Sequence, residues 1–116
     1  MKTISIILCS LIAVAAAQQL AHHPTEFTQT MASGMRIMDR DMAAAPMNGN
    51  VDHDFAAMMI PHHQGAIEMA KAELLYGKDP VMRRLAQEIL VDQQSEIDAL
   101  HLWLKKASTA NIDPEK

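Results

Sequence analysis

The segment Met58-Met59-Ile60-Pro61-His62-His63 places two thioethers one helical turn ahead of two imidazoles. That donor set selects copper, above all Cu(I) with Cu(II) as the second option, over Mg²⁺, Ca²⁺ and Mn²⁺, which want oxygen. Zinc and nickel are alternatives at the histidines, although zinc more typically recruits Cys, His or carboxylate. A lone histidine on an apolar face is usually an ordinary core residue, whereas an adjacent pair behind two methionines favours ligation.

Helical geometry divides the segment. Phe55, Met59, His62, Ala66, Met69 and Glu73 fall on one face, and His63 lies a step aside with Ile60, Ile67, Ala70 and Leu74. Upstream, Phe27, Met31, Met35, Met38 and Met42 recur every three or four residues and form a single stripe. Methionine stripes commonly fill irregular cores. Here no leucine occurs between Leu20 and Leu74, although the C-terminal part uses Leu85, Leu90, Leu100, Leu102 and Leu104. That segregation favours a ligand role beside a packing role.

Three helical segments must position these residues, and no β-alternating run is visible. The first is expected to open at Thr25 and end near Ala45, before Pro46 and the turn Asn48-Gly49-Asn50. The second is expected to be capped by Asp52 and to run to Tyr76, with Gly77 as its stop and a kink at Pro61. The third takes Asp79 as cap and Pro80 as its first residue and runs to about Ala107. Short connections make the helices antiparallel neighbours, so the expected fold is an all-α antiparallel bundle of three main helices. Its open groove suggests self-association.

Counting outward from the connections puts Met38 level with Met59, and Met35 level with His62 and His63. Gln93 and Glu96 fall in the same layer. The expected primary site is therefore Met35, Met38 and Met59 with His62 or His63, joined by Met58 and Met69 on neighbouring turns. Glu96 or Gln93 is the expected acceptor for an imidazole N–H. The same count brings Met42 and His53 close to His101 as a second, more exposed site that Met47 could assist. His22 and His23 belong to a leader, as weak metal ligands or simply as solvated polar residues.

Met1-Lys2-Thr3, the apolar run Ile4 to Ala17 and the small-residue end Ala15-Ala16-Ala17 resemble a secretory signal, with residues 18–24 as a mobile leader and 108–116 as a flexible tail. The run is shorter than the roughly 20 residues that span a bilayer. The expected location is periplasmic or otherwise secreted, with no membrane association after signal removal. The remainder is one domain in length. Its charge is more negative than the −4 of the whole chain, because Lys2 leaves and every acid stays. With no basic run, nucleic acid is a poor partner. The single cysteine, Cys9, lies in the signal, so a soft ligand in the remainder must be methionine; of the ten methionines only Met1 lies in that segment.

Asp52, Phe55, the run Met59 to Ile67 and Met69-Ala70 resemble the bacterial domain-of-unknown-function 305 family, which includes CopM-like copper-binding proteins. Asp79-Pro80, Leu85-Ala86, Ile89, Gln93, Glu96-Ile97 and Trp103-Leu104 extend the resemblance, which covers about Asp52 to Leu104. It implies a ferritin-like bundle, exported to the periplasm, that binds copper through methionine and histidine and contributes to copper tolerance or homeostasis. Family members commonly carry a methionine between the Glu-Ile and Trp-Leu pairs, where this chain has Leu100 followed by His101.

The leading expectation is a non-enzymatic protein that sequesters, buffers or passes on copper ions, with a copper-transfer partner in the last case. One alternative is a metal-free helical interaction module. Another is a ferritin-like di-metal carboxylate enzyme, for which Asp98-x-x-His101 is a single variant of a motif needed twice, with two further carboxylates.

Overall fold

The computed structural model describes residues 25–110. Helix α1 covers residues 25–43, α2 spans Val51–Tyr76 and α3 spans Pro80–Ala110; no strand occurs among the described residues. The segments read from sequence as signal and leader, residues 1–24, lie outside the described residues. Phe27 meets Tyr76 edge to face, and Met38 meets Gly65, so α1 and α2 run antiparallel. Arg83 reaches the Leu74 carbonyl and His63 reaches Glu96, so α2 and α3 do too. The protein is an all-α antiparallel bundle.

Helix boundaries follow from local chemistry. The cap of α2 is Asn50 rather than Asp52: its side chain accepts from the His53 amide at 3.0 Å, leaving Asp52 and Asp54 as first-turn acids at the positive end of the helix. The helix continues through Pro61, which is buried. Gly77 ends it in extended rather than left-handed backbone, its amide donating to the Glu73 carbonyl, while the Arg83 guanidinium closes the carbonyls of Leu74 and Gly77 at 2.6 and 2.9 Å. Asp79 caps α3 as expected, accepting from the Val81 and Met82 amides. That helix runs past Ala107, and the Ser108 and Thr109 hydroxyls donate back to the carbonyls of Lys105 and Lys106. Its last turn thus takes in the start of the segment read as tail; residues 111–116 lie outside the described residues.

Small side chains make the interior. The buried apolar residues are Ala56, Ala57, Ala70, Ala72, Ala86 and Ile97. Pro61 and Gly65 are buried as well. Such residues let helix axes approach closely and push longer side chains to the margins. None of the methionines in α1, α2 and α3 is fully buried.

The connection between α1 and α2 sets their register. Residues 44–50 form a strap instead of a tight turn, with Gly49 at φ 86°. Asp54, one turn into α2, accepts from the Asn48 and Gly49 amides at 2.8 and 3.0 Å and from His53 Nδ1 at 3.1 Å. These bonds, that from the Asn48 amide first and that from His53 next, hold the Asp54 carboxyl below the usual carboxylate range. The strap runs back along the first turns of α2, so α1 meets α2 further along than an even count predicts. Met38 therefore lies against Gly65 and not Met59, and Asp41 lies beside Pro61.

Candidate metal centre

Between α2 and α3 lies a cleft of about 520 Å³, lined by Phe55, Met59 and His63 on one side and by Glu96, Leu100 and Trp103 on the other. His63 is its most defined polar group. Its side chain is 14% exposed, and Nε2 lies 2.5 Å from Glu96 Oε2. A carboxylate only accepts, so Nε2 carries a proton, and in the neutral imidazole Nδ1 keeps the lone pair. Nδ1 is buried and has no hydrogen-bond partner. A buried bare acceptor is costly unless something occupies it. A metal ion is one such occupant, and the Glu96 contact is the support that metal-binding imidazoles generally receive.

His62 has different surroundings. It is exposed, and its ring stands 5.7 Å from that of His63 at 63°. Successive helical residues diverge by about 100°, so His63 turns to α3 while His62 turns toward the open flank. Gln93 is partly buried on α3, yet the bond to His63 is made by Glu96.

The α1–α2 seam has two flanks. Ile37, Asp41, Gln64 and Glu68 line one of them. Helical periodicity puts Met31, Met35 and Met42 on the other, the flank to which Met58, His62 and Met69 belong. With Asp41 beside Pro61, Met42 lies level with Pro61 and His62. Met35, 47% exposed, falls about two turns from that level instead of beside the histidines. Met69 lies near the level of Gly34, whose neighbour is Glu68.

The structure thus joins Met59, His63 and Glu96 in one cleft, while helical periodicity and the α1–α2 register assign Met42, Met58 and His62 to another flank. It does not gather the second site in its expected form. His53 pairs with Asp54 and borders a separate cleft with Trp103 and Leu104, in whose lining neither Met42 nor His101 takes part. His101 is exposed. Among the described residues, no three His, Cys, Asp or Glu side chains converge on a metal position. Sequence reasoning passed over Trp103 as a cleft residue; its spacing of seven from Glu96 on α3 was the available signal.

No described helix is long and apolar enough to cross a membrane. The fold and site define an all-α helical protein with a methionine- and histidine-bearing face. The chain belongs to the DUF305 family, a domain of unknown function whose profile matches residues 8–104. It is also 37% identical over 60 residues to an uncharacterised protein of Acanthamoeba polyphaga mimivirus, an overlap of 52% of this chain and 40% of that protein. The overlap thus spans well under half of that relative's length.

Proposed function

We propose that this protein is an exported, non-enzymatic copper-binding protein that sequesters, buffers or passes on copper through methionine and histidine ligands. The observation that carries the reading is His63: Nε2 is engaged by Glu96, and Nδ1 is buried without a partner in an imidazole that shares a cleft with Met59. Thioether and imidazole suit Cu(I), which accepts low coordination numbers and soft donors. The methionines support the same reading, since an alanine interior leaves them at the margins, accessible to an ion. Export rests on the Met1 to Ala17 sequence.

The test is competition with a chromophoric Cu(I) chelator, using protein that carries Cys9→Ser so that no thiol contributes. Replacing Met59, His62 and His63 together is expected to weaken Cu(I) binding at least tenfold while the helical circular dichroism spectrum is retained. Unchanged affinity in that variant would remove the site. A second reading, a metal-free interaction module, draws on Phe55 and Trp103, which are 60% and 41% exposed at the cleft. Absence of Cu(I) binding by the parent would select it.

A further inference from the structure

The two adjacent histidines have separate sets of neighbours. His63 faces α3, with Met59 one turn before it and Glu96 behind its ring. His62 is exposed on a different side of α2, where Met58 precedes it by one turn. The register fixed by Met38 against Gly65 and Asp41 beside Pro61 brings Met42 of α1 to the same level and the same flank. Met42 and Met58 are partly buried, so this second group is open on the His62 side.

Resting on the copper reading above, we infer that each protein holds two Cu(I) positions of unequal accessibility: an outer one at Met42, Met58 and His62, and an inner one at Met59 and His63. The outer position has two thioethers and one exposed imidazole spanning α1 and α2. The inner has one thioether and the supported imidazole between α2 and α3. The His62 and His63 rings, 5.7 Å apart, lie between them. An ion arriving from solvent meets the outer donors first and passes inward by exchange of one imidazole for the next, with no change of oxidation state. The chemical class of ligand is a monovalent soft cation, so Ag(I) serves as a redox-inert probe.

Titration of the Cys9→Ser protein with Cu(I) against a chelator is expected to give two equivalents, and Ag(I) added stepwise is expected to shift the NMR signals of both imidazoles. Met42→Leu with Met58→Leu, which preserves apolar bulk, should remove one equivalent and leave the His63 response intact. Met59→Leu with His63→Gln should remove the other and leave the His62 response. A parent that binds one equivalent, abolished by Met59→Leu/His63→Gln and untouched by Met42→Leu/Met58→Leu, overturns the two-position scheme while copper binding stands. One equivalent lost equally in both variants overturns it in favour of a single shared site. A parent that binds no Cu(I) overturns the functional reading itself. Circular dichroism on each variant separates lost ligands from lost fold.

Discussion

Glu96 shows how an exposed side chain can shape a buried one. Its carboxylate is 57% exposed, yet by accepting from His63 Nε2 it leaves Nδ1 as the nitrogen with a free lone pair in the neutral ring. Glu96→Gln keeps the size but removes the anionic acceptor. We expect Cu(I) affinity to fall about tenfold or more in that variant, with a melting curve close to the parent's; equal affinities measured by chelator competition would show that the carboxylate does not orient the ligand. At this scale much was legible beforehand. Glu96 was one of two acceptors named for an imidazole of the histidine pair, and it is the one that meets His63. Which histidine it would serve was not legible, because a rotation of about 100° between neighbours acquires meaning only once the flanking helices are placed.

The α1–α2 seam is controlled by a missing side chain. A Cβ on Gly65 would lie 2.5 Å from Met38 Sδ and 2.9 Å from Met38 Cβ, so rotating the thioether away cannot relieve the whole clash and the helices must part. Gly65→Ala is therefore expected to destabilise by about 1–3 kcal/mol, despite alanine's better helix propensity. At Gly34 the nearest atom to a new Cβ is Glu68 Cβ at 3.7 Å, an ordinary contact. Gly34→Ala should stabilise by about 0.5–1 kcal/mol. Urea denaturation of the two variants checks the pair, and a Gly65→Ala protein as stable as Gly34→Ala would refute the close seam. The helices themselves were readable from Asp79-Pro80, Gly77 and the apolar periodicity. Their register was not, because the Asp54 carboxylate gathers the strap and lays it along α2, a tertiary arrangement that no count of loop residues contains.

Across the whole molecule, methionine and alanine have divided the roles that leucine usually combines. Alanine makes the close packing, and methionine occupies the edges of the seams. How deeply the stripe on α1 sits was not legible in the sequence, because periodicity reports which side of a helix faces its partner and not the depth of each residue. Depth came from the small residues opposite, Gly65 and Pro61 among them. A ligand that binds only the folded form stabilises it by an amount set by its concentration relative to its Kd, about 2.7 kcal/mol at a hundredfold excess. Cu(I) is accordingly expected to raise Tm by several degrees, measured calorimetrically under anaerobic conditions, and to do so less in Met42→Leu/Met58→Leu.

The same division makes α1 the loosest of the three helices. None of its described residues is fully buried, and the Phe27–Tyr76 ring contact, the Gly65 seam and the Asp54-anchored strap tie it to the rest. Segments with few buried contacts open most readily. An ion held as inferred above by Met42, Met58 and His62 would act as a clasp between the two helices. Cargo and latch would then be one object, and metal occupancy would be read in the mobility of the first helix.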